Sequence, residues 1–197
     1  MADKQTLRTE MYKKRKLLND KEADSLSLCA QERLTHERAW KESRTVALYS
    51  PIRKETQTVA LIENAWSTGK QVLLPHTVPG PEKRILFLPC ENFKDLKPGL
   101  FGILEPVPPT NALLPSEEIF PDIIVVPGVA YDRQGYRLGN GGGYYDRFFA
   151  RPETANILRL GFVYGFQLVN EIPERESWDL PMHGYCTENE CVWLEKA

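Results

Sequence analysis

The sequence predicts an α/β fold with a largely parallel sheet covered on both faces, and three observations lead there. Short apolar runs alternate along the chain with stretches of helical period, the pattern of strand and helix units whose strands pair in parallel. The most apolar run, Ile123 to Val126, feeds a loop in which four of the five positions from Gly139 to Gly143 are glycine. A length of 197 residues is close to that of one ordinary domain with a substantial core. We therefore expect one domain over residues 1–197, with a basic N-terminal helix at about 3–18.

Lys4 to Leu18 are mostly good helix formers, and Lys4, Arg8 and Arg15 fall within about 40° of one another on a helical wheel, making a basic stripe. The charge run from Lys13 to Lys16 reads as a solvated face. Asn19, followed three residues later by Glu22, has the form of a capping box. Ala23, Leu26, Ala30 and Leu34 then repeat at helical spacing, and this second helix is expected to end near His36 to Trp40. Thr45 to Tyr49 is a short strand, and a helix around Thr58 to Thr68 is stopped by Gly69. Val72 to Leu74 and Ile85 to Leu88 read as buried strands closed by Pro75 and Pro89. Pro98 to Pro115 has neither period and is expected to be an ordered loop crossing the molecule. After the strand Ile123 to Val126 and the glycine loop, a helix is expected from about Gly143 to Phe149, then strands at Leu158 to Tyr164 and Cys191 to Leu194. In such folds ligands sit beyond the carboxyl ends of the strands, where Gly128 to Gly143 would lie.

Charge and cysteine content exclude several classes. The 25 basic and 27 acidic residues leave a net charge of −2, so no global field recruits nucleic acid. The Met-Ala-Asp-Lys-Gln-Thr start lacks the apolar run of a signal peptide, and no stretch approaches the roughly 18 apolar residues of a membrane span. The expectation is a cytoplasmic protein. Cys29, Cys90, Cys186 and Cys191 are scattered and are expected to be free thiols, since the one close pair lacks a second pair or a nearby histidine to complete a zinc site. His36 and His76 show no ligand spacing.

The glycine loop carries the chemistry. Glycine serves where backbone must turn sharply or approach a ligand closely, and successive N–H groups leading into a helix form a concave anion site. Arg137 and Arg147 can supply fork-shaped donors, and Asp146 can hold a divalent cation bridging phosphate oxygens. The standard nucleotide fingerprints do not fit. No GxxxxGK[ST] occurs, a GxGxxG from Gly139 fails at Tyr144, and one from Gly141 fails at Asp146. A flexible linker is the plain alternative, but such linkers are serine-rich and lack the large side chains of Tyr144 to Phe149.

The segment from Pro127 to Asp146 resembles the signature of the 5-formyltetrahydrofolate cyclo-ligase family, P-G-x-x-[FY]-D-x-x-G-x-R-L-G-x-G-x-G-Y-Y-D, and meets every fixed position. The resemblance implies a three-layer α/β/α sandwich. Lys4-Gln5-Thr6-Leu7-Arg8 is similar to the family's opening K-x-x-L-R, whose two cations contact ATP phosphates. It implies an ATP site built from Lys4 to Arg8 together with Arg137, Leu138, Gly139, Asn140, Gly141, Gly142, Gly143, Tyr144 and Tyr145. In the stretch after the first strand, Glu55 matches the family's pterin and formyl contact and Ser50 a further substrate contact. Phe101 is a positional candidate for stacking on the pterin or adenine ring. For Mg²⁺ the candidates are Asp146 and Asp179, the latter also readable as a turn carboxylate. The chain departs from the family pattern at His183, where relatives often carry Asp, and position 183 is left out of the metal set because histidine suits hard Mg²⁺ poorly. Other departures are Asn140, Gln57 and Leu104. Asp132 reads equally as a loop brace and as a ligand contact.

The resemblance implies an enzyme that cyclises 5-formyltetrahydrofolate to 5,10-methenyltetrahydrofolate with ATP and Mg²⁺, as a monomer or weak dimer without nucleic-acid or membrane partners. Two alternatives stay open at this point. One is a non-catalytic phospholigand- or RNA-binding protein using the basic helix and Tyr144-Tyr145 as a stacking pair. The other is an inactive relative of the cyclo-ligases.

Overall fold

The computed structural model describes residues 3–78, 80–108, 118–176 and 178–194. In chain order the elements are α1 (Lys4–Leu17), α2 (Asp20–His36), α3 (Arg38–Glu42), β1 (Thr45–Ala47), α4 (Val59–Ser67), β2 (Gln71–Val78), β3 (Arg84–Pro89), β4 (Leu96–Pro98), β5 (Leu104–Pro106), β6 (Ile123–Pro127), β7 (Ala130–Asp132), β8 (Arg137–Leu138), α5 (Tyr144–Phe149), β9 (Leu158–Phe162), β10 (Leu168–Val169), β11 (Gly184–Cys186) and β12 (Cys191–Trp193). Local chemistry sets the helix ends. Asp3 and Asn19 cap α1 and α2 by accepting the N–H of Thr6 and Glu22, and Gly69 takes the left-handed φ of +74° just past α4.

The central sheet has the order β12-β11-β9-β6-β1-β2-β3. Its five inner strands are parallel, and only the edge pairings β11–β12 and β2–β3 are antiparallel. Every residue from Ile123 to Val126 on β6 is fully buried, with alternate side chains in two separate cores. Ile123 and Val125 meet Leu34 and Trp40 of the α2, α3 and α4 layer, whereas Ile124 and Val126 meet Phe148 and Phe149 of α5. This is the three-layer α/β/α sandwich expected, and burial on both faces is why β6 reads as an unbroken apolar run. Helix α1 packs Leu7 and Met11 on Val129, Ala130 and Leu138 around the β7–β8 hairpin, at the rim of the sheet.

Three expectations need correction. Pro75 does not close β2, which continues to Val78 paired with β3. The N–H of Thr77, two residues on and facing the same way, bonds to the Glu105 carboxylate instead of to β3, so a proline at 75 removes no ladder bond there. The stretch from Pro98 is also not plain loop, because β4 and β5 pair as a small antiparallel ribbon. Residues 109–115 of that stretch lie outside the described residues. Finally, β11 lies between β9 and β12, where no strand was expected. All four cysteines are free, as expected.

From β1 the chain builds one half of the sheet outward to β3, then returns to the other side of β1 at β6 and builds the second half. The segments leaving the carboxyl ends of β1 and β6 therefore diverge, which opens a crevice between them.

Candidate active site

That crevice is a cavity of about 530 Å³. One wall is the segment after β1, including Tyr49, Ser50, Ile52 and Glu55, and the facing wall runs from Arg137 to Asp146. Lys4 and Arg8 close one end with Trp178 and Asp179, and Phe101 stands at the rim.

The segment after β1 is held by its own polar atoms. The Tyr49 hydroxyl donates to Thr56 O at 2.6 Å, and Thr58 Oγ1 donates back to Tyr49 O at 2.7 Å. Ser50 Oγ donates to Leu104 O at 2.6 Å, tying this wall to β5. Arg53 and Lys54 adopt left-handed φ values of 48° and 56°, an unfavourable turn for side-chain-bearing residues that swings Glu55 inward. Glu55 is only 5% exposed, and its Oε2 accepts the Ile52 N–H at 3.2 Å. Burial pushes its carboxyl above the ordinary glutamate value, while Arg15, the Ile52 amide and the Asn140 side chain pull it back without cancelling the effect.

The opposite wall is the glycine loop. Gly141 and Gly143 have φ of +91° and +70°, a conformation that favours glycine at both, and a Cβ on Gly139 would sit 2.7 Å from Arg137 Nη1, the far end of a side chain that would have to shift. Arg8 Nε donates to Gly139 O at 3.0 Å, and Arg147 Nη1 donates to Gly142 O and Gly143 O at 3.2 and 2.9 Å. With those carbonyls taken, the N–H groups from Gly139 to Gly143 have no acceptor among the described residues, which suits them to an anion. Helix α5 is six residues long, too short for its dipole to matter much. The positive field comes instead from Lys4, Arg8 and Arg137.

Each carboxylate proposed for metal is paired. Arg137, whose side chain is 8% exposed, donates from Nη2 to Asp146 Oδ1 at 2.7 Å, and its guanidinium lies 5.2 Å from the Tyr145 ring centroid. Asp179 Oδ2 accepts the Glu176 N–H at 2.9 Å and lies 3.4 Å from Lys4 Nζ. The turn role weighed for Asp179 is thus observed, and it also faces the cavity. No cluster of three or more His, Cys, Asp or Glu side chains able to hold a metal occurs among the described residues. His183 is engaged elsewhere, its Nδ1 accepting the Arg159 N–H at 2.9 Å.

The structure brings together Lys4, Arg8, Ser50, Glu55, Phe101, Arg137, Leu138, the loop from Gly139 to Gly143, Tyr144, Tyr145, Asp146 and Asp179. Gln5 and Thr6 lie on the exposed side of α1, and Leu7 is buried in the core beneath. Tyr144 and Tyr145 are half-buried against the α5 core, with Tyr145 packed near Phe87 and Phe149, so they do not form the free stacking pair of the RNA-binding alternative. Arg15 requires a correction. Lys13, Lys14 and Lys16 are exposed, but Arg15 is 2% exposed and pairs with Glu55. It shares the inward stripe of Lys4 and Arg8, and that helical phase, rather than the charge run, decides its burial. Trp178 was missed, and nothing in its sequence neighbourhood distinguishes it from an ordinary loop aromatic.

Asp132 braces the loop. It is fully buried and accepts N–H groups from Gln134, Tyr136 and Ile172 and a guanidinium bond from Arg175, all at 3.0–3.1 Å. Asp132→Ala strands these donors and is expected to cost about 3–5 kcal/mol, lowering the melting temperature by on the order of 10 °C. A thermal melt within about 1 kcal/mol of wild type would contradict this role.

The family's sequence profile matches residues 1–188 under the description "5-formyltetrahydrofolate cyclo-ligase family". The chain belongs to the 5-formyltetrahydrofolate cyclo-ligase family. It is 32% identical over 179 residues to the 5-formyltetrahydrofolate cyclo-ligase of Haemophilus influenzae, covering 91% of this chain and 94% of that protein. To the enzyme of the same name from Mycolicibacterium smegmatis it is 38% identical over 146 residues, 71% of each chain. The solved structure of Aquifex aeolicus 5,10-methenyltetrahydrofolate synthetase superposes with a TM-score of 0.80 at 35% identity, covering 98% of this chain and 94% of that one. As a member of the cyclo-ligase family, the chain carries its glycine loop and its opening basic helix on opposite sides of one cleft end, joined by the bond from Arg8 to Gly139 O. No helix among the described residues is long and apolar enough to cross a membrane.

Proposed function

We propose that the protein catalyses the ATP-dependent cyclisation of 5-formyltetrahydrofolate to 5,10-methenyltetrahydrofolate, releasing ADP and phosphate. The observation that carries this reading is one cavity with two chemically distinct halves. A buried carboxylate, Glu55, lies on one wall, and unpaired amides with three nearby cations lie on the other. A pterin presents N–H donors that suit Glu55, and a triphosphate suits the amides and cations. Bound in this way, the two ligands would meet in the middle of the cavity.

The formyl group of the substrate is amide-like and a weak electrophile. Its oxygen attacks the γ-phosphorus, forming an O–P bond as the bond to the ADP oxygen breaks. N10 then adds to the activated carbon and gives up its proton, and phosphate leaves carrying that proton and the former formyl oxygen. Phosphoryl transfer through a loose transition state asks the protein mainly for positioning and charge neutralisation. Lys4, Arg8, Arg137 and the amides from Gly139 to Gly143 supply these, and Glu55 orients the pterin. No covalent nucleophile is required. The residues fit Mg²⁺, which is commonly held by one or two carboxylates together with substrate phosphates. Asp146, whose side chain is 40% exposed in the cavity with Oδ1 on Arg137, would hold it with Asp179, and the ion would neutralise phosphate charge.

Kinetics of Lys4→Ala and Arg8→Ala test the division of the cavity. Each substitution removes a charged hydrogen bond to phosphate of about 1.5–3 kcal/mol, so KM for ATP is expected to rise roughly tenfold to a hundredfold, with KM for the folate nearly unchanged. Equal loss on both substrates would contradict the assignment.

A further inference from the structure

We propose that Arg15 is a positioning residue for this reaction, standing behind Glu55 and acting on the substrate only through that carboxylate. The proposal rests on the reading of Glu55 as the pterin contact. Arg15 is among the largest fully buried side chains, yet Nε, Nη1 and Nη2 have no hydrogen-bond partner among the described residues. Its nearest counter-charge is Glu55 Oε1 at 3.7 Å, a distance for an ion pair but not a hydrogen bond. A buried guanidinium with idle donors is a poor stabiliser, and an apolar side chain of similar volume would serve the fold as well or better. Stability alone therefore does not account for it.

What the guanidinium does act on is Glu55. Around that carboxylate stand Asn140 from the glycine loop, the Ile52 amide from its own turn, and Tyr49, Tyr131 and Tyr145 within electrostatic reach; the Tyr164 hydroxyl donates to Glu55 O at 3.4 Å. Arg15 is the cation paired with Glu55, and among the groups that oppose the effect of burial on that carboxylate it acts most strongly. The side chain is also oriented. Its guanidinium carbon lies 5.4 Å from the centroid of the Tyr12 ring, whose hydroxyl donates to Asn140 Oδ1. Burial works against ionisation of Glu55, so the cation behind it keeps the carboxylate charged and able to accept from a pterin.

Steady-state kinetics of Arg15→Met from mildly acidic to mildly alkaline pH test this. Without the cation the Glu55 carboxyl shifts further upward, so less of it is ionised at neutral pH. KM for 5-formyltetrahydrofolate is expected to rise about tenfold or more at neutral pH and to recover partly at alkaline pH, with KM for ATP within about twofold. Arg15→Lys, which keeps the charge, is expected to restore most of the loss. Unchanged folate KM and acid limb, or equal rises in both KM values without recovery at high pH, would overturn the proposal. Should Arg15→Met fail to fold, the double variant Arg15→Met with Glu55→Gln removes both charges and is compared with Glu55→Gln alone. Equal kcat/KM for folate supports action through Glu55, and a further loss overturns it. If Glu55→Gln itself leaves folate KM at the wild-type value, the reading of Glu55 fails and takes this proposal with it.

Discussion

Glu55→Gln is expected to lower kcat/KM for 5-formyltetrahydrofolate by roughly a hundredfold while leaving KM for ATP within a few-fold of wild type. A carboxylate accepting hydrogen bonds from a bound ligand in a water-poor site contributes about 1.5–3 kcal/mol, and the upper end corresponds to a factor of about one hundred. The amide keeps the shape and loses the charge, so the effect reports electrostatics rather than packing. Wild-type pH dependence follows with a definite sign. Burial raises the Glu55 carboxyl above the usual range, so folate kcat/KM should fall as pH drops through a value higher than that of an ordinary glutamate. In Glu55→Gln that acid limb should vanish. The substitution also leaves Arg15 buried without its counter-charge, a loss of about 3–5 kcal/mol, so a lower melting temperature should accompany the kinetic change. Unchanged folate kinetics in folded Glu55→Gln would contradict the assignment.

Asp146→Asn is the second large effect expected, on the order of a hundredfold in kcat at low Mg²⁺. Two roles meet at this side chain. Its Oδ1 bonds Arg137 at 2.7 Å, and the side chain also faces the cavity where phosphates would lie. A Mg²⁺ titration separates them. If Asp146 holds the metal, activity should recover partly as Mg²⁺ is raised. If it only braces Arg137, the loss should be independent of Mg²⁺ and appear chiefly in KM for ATP. Full activity of Asp146→Asn at low Mg²⁺ would remove it from the metal set.

Much of the sheet was legible because its signals are local. The apolar run Ile123 to Val126, the stop at Gly69 and the cap at Asn19 each declare themselves within a few residues. The strand β11 did not, since Gly184-Tyr185-Cys186 carries no period and owes its extension to pairing with β9. Pro75 misled for a related reason. Whether a missing N–H matters depends on what lines that edge of the strand, and Glu105, which takes the Thr77 N–H on the same edge, lies 28 residues beyond Thr77. The glycine loop and the K-x-x-L-R opening were legible as chemistry, but the contact between them through Arg8 and Gly139 spans 131 residues. Arg15 shows the limit most clearly. Its helical phase with Lys4 and Arg8 pointed inward, while its neighbours Lys13, Lys14 and Lys16 pointed to solvent. The decisive partner, Glu55, is 40 residues away in sequence.

ATP-driven cyclisation is tested most directly in one reaction in which methenyl-folate absorbance and released inorganic phosphate are followed together, with ATP and Mg²⁺ both present and with each omitted. Methenyl product and phosphate are expected in equal amounts and only in the complete mixture. Methenyl formation without ATP, or ATP hydrolysis that proceeds without 5-formyltetrahydrofolate and leaves it unconverted, would contradict it.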